Sequence, residues 1–202
     1  MFNVCRECEV VVMDYGRVAG FLLLVGGVVC VLGIIVSEAL YPGYSTSGNY
    51  ISDLGVGPSA LIFNSSIFIL GVLVLFGAYF IYRGFGVRVF SVLVALAGVG
   101  AVGVGVFTEK AGLVHMFFSL IVFLFGGLSA IFSYMLVRKS YFACFSAVLG
   151  VVVVLALVLF AFDCYFGLGK GGMERLIAYP ALLWAVSFGG YLIGMSDNAE
   201  TS

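Results

Sequence analysis

The sequence predicts an all-α membrane protein built as a bundle of six transmembrane helices. Of its 202 residues, 63% are hydrophobic and only 9% are charged, whereas an average soluble domain has roughly 25% charged residues. A chain this apolar cannot cover its own surface with polar groups in water, so we expect the lipid bilayer to be its solvent. No polar run is long enough to fold as a separate domain.

Apolar runs delimit the predicted helices, because about 20 apolar residues are needed to cross the hydrocarbon core. The runs cover residues 18–36, 60–82, 89–107, 113–137, 141–162 and 176–195. Backbone amides in hydrocarbon must be satisfied by a helix or a closed barrel, and the runs lack the short alternating segments of a barrel. We therefore predict a transmembrane domain over 18–195, between a short tail at 1–17 and a polar tail at 196–202.

The distribution of basic residues predicts the orientation. Six Lys or Arg residues lie in the amino-terminal tail and the even loops, namely Arg6, Arg17, Arg83, Arg88, Arg138 and Lys139. Three lie in the odd loops, namely Lys110, Lys170 and Arg175. Because short cytoplasmic loops carry more Lys and Arg, we expect both termini inside the cell and the odd loops outside. Residues 1–17 lack the apolar core and cleavage site of a signal peptide, so the first span should stay attached.

Glycine is abundant, with 28 residues, and small residues let membrane helices approach closely. Two pairs of small residues are four apart, namely Gly16 with Gly20 and Gly126 with Ala130. A further group lies along the third predicted helix, namely Gly98, Gly100, Gly103 and Gly105. We interpret these positions as packing contacts inside one chain. A homo-oligomer formed through the glycine-rich helix faces is the alternative.

Cys5 and Cys8 have the spacing of a metal-ligand pair, but no second pair accompanies them. We interpret them as free thiols, with a zinc site shared across a dimer as the alternative. We predict no other metal site, and the residues indicate no particular cofactor. A net charge of −1 gives no basic surface for nucleic acid, and a single histidine cannot provide the two ligands of a bis-histidine haem. No phosphate-binding Gly-x-x-x-x-Gly-Lys-Ser/Thr motif occurs.

The longest polar interruption is residues 41–57, in the first outer loop. Most ionisable residues outside the basic turns fall on this same face, namely Glu38, Asp53, Glu109, His115, Asp163, Glu174 and Arg175. Ionisable groups at the membrane surface or below it are costly and are often functional. The face therefore predicts a polar site. Its tyrosines are also explained by an interfacial aromatic belt.

Spacing refines this prediction. Asn49 and Asp53 are four residues apart, as are His115 and Ser119, so each pair shares a face if its segment is helical. We expect Asp53 to be the partner of Arg175, with Glu38 and Glu109 as the alternatives. The ligand-binding candidates are Asn49, Asp53, Asn64, Glu109, His115, Ser119, Glu174, Arg175 and Tyr179.

Three further expectations concern individual candidates. Glu109 should be the partner of His115, because a turn of about five residues separates them. Asn64 lies within hydrocarbon and must find a hydrogen-bond partner there. Glu174 lies at a helix start, where the dipole favours a carboxylate.

The segments 49–55 (NYISDLG), 62–64 (IFN), 105–109 (GVFTE) and 172–180 (GMERLIAYP), together with His115, carry a family resemblance. The chain resembles prokaryotic, largely archaeal, six-helix membrane proteins of unknown function, distantly likened to the damage-regulated autophagy modulator group. The resemblance extends from about residue 20 to 194 and implies a fold and a membrane location, with no established activity. Thr108 replaces an expected proline. Ceramidase-like hydrolases hold zinc with several histidines, and this chain has one.

These observations leave three functions open. The first is binding or transport of a lipid headgroup or small polar solute at the outer face of the cell membrane. The second is a membrane hydrolase or transferase in which His115 acts with Glu109 and Asp53. The third is a structural or assembly protein whose polar rim holds the loops. Expected partners are membrane lipids, with no nucleic acid.

Overall fold

The computed structural model describes the backbone of residues 2–137 and 141–200, and the side chains of residues 14–137 and 141–197. In these ranges the long elements are all helices. They are α1 (Phe2–Leu40), α2 (Ala60–Phe85), α3 (Arg88–Val106), α4 (Leu113–Phe132), α5 (Tyr141–Ala161) and α6 (Gly169–Glu200). Short 3₁₀ turns cover Ser52–Gly55, Glu109–Ala111 and Ser133–Met135. The predicted turn Arg138–Ser140 lies outside the described residues.

Six helices in the described part of the chain are long and apolar enough to span a membrane, which confirms the predicted fold class. The amino-terminal span covers Asp14–Leu40, although helix α1 itself begins at Phe2. An even number of spans would place residues 14 and 197, the ends of the first and last spans, on one side of the membrane. Which side of the membrane faces the cytoplasm stays a prediction. We therefore name one end of the bundle by its connections: the odd-loop face is the end formed by the first, third and fifth connections.

The helices pack in chain order, each against its neighbour, and α6 returns to pack against α1. Helix α4 also contacts α6, which leaves α5 on the outside of the bundle between them. An aromatic group joins α3 to α6, where the rings of Phe90 and Phe188 are 5.5 Å apart and Trp184 stacks on Phe188 at 5.2 Å. Large apolar side chains such as Leu61 and Leu113 point outwards, as lipid-facing residues do.

Glycines allow several of these helices to touch. A methyl group added at Gly20 would meet the carbonyl oxygen of Gly189 at 2.5 Å, and one added at Gly100 would overlap the backbone nitrogen of Val122. The prediction of packing inside one chain is therefore confirmed at these helix pairs. Gly126 differs, because a methyl group there would meet only Ala181 Cβ, at 3.8 Å. Close packing at Gly126 was the wrong expectation, since space remains beside this residue.

Candidate functional site

The connection between α1 and α2, residues 41–59, is called the first connection. It lies directly against the amino-terminal end of α6. The amide nitrogen of Gly171 donates to the carbonyl of Ser47 across 3.0 Å, and a methyl group at Gly171 would overlap the carbonyl oxygen of Asn49. Ile51 and Leu54 turn into the bundle, where they are 4% and 0% exposed. The connection therefore folds back over the bundle and places its polar groups beside α6.

Arg175 joins three segments at this face. Its Nη2 donates to Glu38 Oε1 at 2.5 Å and to the hydroxyl of Tyr44 at 2.8 Å. Its Nη1 donates to the carbonyls of Thr46 at 2.7 Å and Gly171 at 3.0 Å. We call these five residues the Arg175 cluster. The remaining nitrogen, Nε, is buried without a hydrogen-bond partner in the described residues.

The predicted pairing of Arg175 with Asp53 is wrong. Helix α6 packs against α1, so Glu38 in the last turn of α1 reaches the guanidinium. Asp53 is occupied by its own turn, where its Oδ2 accepts from the side-chain amide of Asn49 at 3.0 Å and from the backbone nitrogen of Tyr50 at 2.9 Å. The four-residue spacing of Asn49 and Asp53 thus produces a contact that shapes the first connection.

The Tyr44 hydroxyl of the Arg175 cluster both accepts and donates a hydrogen bond. Its hydroxyl accepts from Arg175 and donates to the carbonyl of Tyr50 across 2.7 Å. Burial raises the pKa of Tyr44 to about 12, even though the neighbouring guanidinium acts to lower it. The phenol therefore keeps its proton at neutral pH and holds Arg175 and the first connection together.

A pair of carboxyl groups lies next to the Arg175 cluster. Burial, a hydrogen bond with Asp53 and repulsion from Asp53 raise the pKa of Glu109 to about 7, while Lys170 opposes the shift. The Lys170 ammonium lies 4.2 Å from the centre of the Tyr50 ring, which attracts a cation. Glu109 thus reaches the first connection from the turn after α3.

The predicted pairing of Glu109 with His115 is wrong. The Nδ1 atom of His115 lies 2.7 Å from the carbonyl oxygen of Phe107, which accepts a hydrogen bond because it lies just after the end of α3. In the neutral imidazole this contact places the proton on Nδ1 and leaves Nε2 as an acceptor. The side chain is 7% exposed.

Glu174 is buried in the second turn of α6 and is 8% exposed. The expected position at the helix start is wrong, because α6 begins at Gly169 and has no acidic residue in its first turn. Its Oε2 accepts from the backbone nitrogen of Ile51 at 2.5 Å. This bond ties the carboxyl to the first connection and leaves Oε1 for another partner. Glu174 and Arg175 are neighbours in sequence, yet one points into the bundle and the other holds the connection to α1.

Two further candidates lie on α2 and α6, and the one on α6, Tyr179, lies beside Arg175 and Glu38. Asn64 donates from Nδ2 to the carbonyl of Gly55 across 2.9 Å, which confirms that it finds a partner, although its Oδ1 is buried without one in the described residues. Tyr179 lies one turn beyond Arg175 on α6 and is 37% exposed.

A cavity of about 120 Å³ runs through the middle of the bundle. Its walls come from the first connection and from α1, α2, α3, α4 and α6. Four of its polar lining residues lie at the odd-loop end, namely Ser52, His115, Ser119 and Glu174. Along α6 the lining extends from Glu174 to Ala185, which is about 16 Å at the helical rise of ~1.5 Å per residue. We call it the central cavity.

The structure thus divides the predicted candidates. It brings His115, Ser119 and Glu174 together at one end of the central cavity. It uses Asn49, Asp53 and Arg175 to hold the first connection. Two residues of the Arg175 cluster, Glu38 and Tyr44, are absent from the predicted ligand-binding set, although Glu38 was an alternative partner for Arg175.

The described side chains contain no group of three His, Cys, Asp or Glu residues placed to hold a metal ion. The side chains of Cys5 and Cys8 lie outside the described residues.

Comparison with known proteins gives one family. The family described as "Protein of unknown function (DUF998)" matches residues 24–191, a range that includes the first connection, the Arg175 cluster and every lining residue of the central cavity except Leu23. Neither the curated proteins nor the solved structures gave a match. Because the matched range covers most of the chain, this protein belongs to the DUF998 family of unknown function.

Proposed function

We propose that this protein binds a lipid headgroup or a small polar solute at the odd-loop end of its central cavity, where Glu174 and His115 contact the ligand. One observation carries the proposal. A buried carboxyl and a buried imidazole line the same cavity, and each uses one polar atom for the protein and has a second one left.

The burial of the Glu174 carboxyl and the His115 imidazole supports the presence of a ligand. A polar group taken out of water costs free energy unless it is hydrogen-bonded, and ionisable groups inside a membrane are costly. A purely structural role for Glu174 requires only its bond to Ile51, which a neutral amide would also make. A ligand that supplies hydrogen bonds to Oε1 and Nε2 explains why a carboxyl and an imidazole lie there together.

The Arg175 cluster supports the same proposal from outside the cavity. Its guanidinium contacts Glu38, Tyr44 and two carbonyls of the protein, so it holds the first connection in place. Ile51 and Ser52 of that connection line the cavity. Arg175 is therefore a positioning residue, and we assign ligand contact to Glu174 and His115.

The predicted orientation gives this site its location. The excess of Lys and Arg in the amino-terminal tail and even loops favours a cytoplasmic position for both termini. The odd-loop face then lies outside the cell membrane, and lipids of the outer leaflet have direct access to it. The alternative function, a hydrolase or transferase, requires His115, Glu109 and Asp53 to act on one substrate atom. The contacts of Glu109 with Asp53 and of His115 with Phe107 do not favour it.

The test compares retained lipid in three proteins purified into nanodiscs made from the total polar lipid of the expression host. Glu174→Gln keeps the acceptor for Ile51 and replaces Oε1 by a donor, and Lys110→Gln is the control on an exposed residue of the same face. After exchange into detergent, native mass spectrometry should show a bound lipid on the wild type and on the control, and its loss from Glu174→Gln. Equal retention by all three proteins, or no bound lipid on the wild type, would overturn the proposal.

A further inference from the structure

We infer that the ligand is a single-chain amphiphile with an uncharged hydroxyl head, and that its hydrocarbon chain occupies the central cavity. This inference rests on the proposed function and names the class of ligand. The head would lie between Glu174 and His115, and the chain would run along α6 towards Ala185, inside the ring of helices.

The dimensions of the cavity support one chain and no more. The lining from Glu174 to Ala185 extends about 16 Å along α6 at ~1.5 Å per residue, and a hydrocarbon core is about 30 Å thick. The cavity is therefore about as long as one leaflet is deep. A cavity of about 120 Å³ that extends over this length is narrow. Its shape fits an extended chain better than a compact solute.

The chemistry of the walls supports a hydrocarbon occupant. Below the odd-loop end the lining is mostly aliphatic or aromatic and includes Leu23, Ile34, Phe63, Val74 and Val94. A buried water needs two to four polar partners, and this part of the lining offers few. An empty apolar cavity forfeits dispersion contacts, which a hydrocarbon chain restores.

The head chemistry follows from the atoms that remain free. In its neutral form the imidazole of His115 presents Nε2 as an acceptor, because Nδ1 is used on the carbonyl of Phe107. Glu174 presents Oε1, since Oε2 is used on Ile51. Two acceptors favour a head that donates a hydrogen bond. A carboxylate head would add negative charge beside a buried carboxyl, and like charges in one site oppose ionisation of both. An alcohol donates its single O–H to one of these acceptors without bringing a charge into the membrane.

Four probes with the same chain length test the head. Dodecanol, dodecylamine, dodecanoate and dodecane are added to the full-length protein in nanodiscs, and the melting temperature is measured. We expect dodecanol to raise it most, and Glu174→Gln to reduce the shift to that of dodecane. Equal shifts from dodecanol and dodecane in the wild type would overturn the inference and the proposed function together. A larger shift from dodecylamine would overturn the hydroxyl head alone.

A cavity-filling variant tests the chain. Gly126 lines the cavity opposite Ala181, and a methyl group there has room, so Gly126→Leu should shorten the space without displacing a helix. The control is Gly194→Leu, because a methyl group at exposed Gly194 meets no atom within 4 Å. We expect the dissociation constant of hexadecanol to rise about tenfold or more in Gly126→Leu, that of octanol to change little, and the control to match the wild type.

The two proposals can fail separately. If Glu174→Gln abolishes the preference for dodecanol but Gly126→Leu binds octanol and hexadecanol as the wild type does, the head site stands and the chain position is wrong. Should Gly126→Leu not fold, the smaller Gly126→Val is measured in its place. Its expected result has the same direction, and unchanged binding of hexadecanol by a folded Gly126→Val would overturn the chain position.

Discussion

Glu174 and Arg175 are adjacent on α6, but they belong to two regions of the odd-loop face with different properties. Arg175 contacts a carboxylate, a phenol and two backbone carbonyls, all supplied by the protein. Glu174 uses one oxygen on Ile51 and lines a cavity with His115. Ionisable residues gathered on one face of the bundle therefore do not form a single site. Charges satisfied by the protein set the shape, and polar atoms left over inside a cavity are available to a ligand.

The largest effect should come from breaking the Arg175 cluster. Arg175→Met removes the donors that satisfy Glu38 and two carbonyls and leaves a carboxylate without its cation. Because removal of one partner from a buried ion pair costs about 3–5 kcal/mol, we expect the free energy of unfolding to fall by about that amount. The double variant with Glu38→Gln should lose less than the sum of the single changes. A loss no larger than that of Lys110→Gln, measured by denaturation in detergent, would show that Arg175 is only a solvated anchor.

Matched glycine changes compare how tightly the two regions are packed. Gly171→Ala would push its methyl group into the carbonyls of the first connection, and overpacking costs about 1–3 kcal/mol. Gly126→Ala adds a methyl group where there is room and places alanine in a helix, where it is favoured over glycine by about 1 kcal/mol. Melting temperatures should therefore fall for Gly171→Ala and hold or rise for Gly126→Ala. The reverse order would contradict the assignment of the tight and open regions.

The six helices could be predicted from the sequence, because the length of an apolar run alone defines a membrane span. It also located the polar residues at one face, since the ends of the spans place them there. Partner choice was not predictable, because the pairing of Glu38 with Arg175 depends on α1 packing against α6. Asp53 was expected to reach across the face, yet its carboxylate is taken by the backbone and amide of its own turn.

The central cavity had no sequence signal. Gly126 looks the same as Gly100 in the sequence, but a methyl group at Gly100 would meet the backbone nitrogen of Val122, while Gly126 has space. Whether side chains from five helices leave a gap depends on how they fit, and hydropathy carries no information on that fit.

A conservative change at Glu174, beside the central cavity, should separate ligand binding from protein stability. Glu174→Gln keeps a hydrogen bond to Ile51 through its amide oxygen, so we expect a stability loss of about 1 kcal/mol, the scale of one hydrogen bond. The same variant should lose its retained lipid. If stability falls as far as in Arg175→Met, the two regions are one structural unit and the comparison fails.

The smallest effect concerns pH. The pKa of Glu109 is about 7 in the folded protein and 4.5 is its ordinary value, so the folded state binds more protons between these values. The contribution of Glu109 to stability should therefore be greatest below pH about 4.5 and should be lost as the pH rises through about 7. Glu109→Gln should flatten that part of the curve of melting temperature against pH. An unchanged slope would place Glu109 in water, away from Asp53.

The most direct test is an experimental structure of the protein in a lipid nanodisc, solved without added ligand. We expect elongated density that begins within about 3 Å of the Glu174 carboxyl or His115 Nε2, a hydrogen-bond distance, and continues along α6 towards Ala185. A central cavity that is empty, holds only water beside Glu174, or is closed by repacked side chains would contradict this expectation.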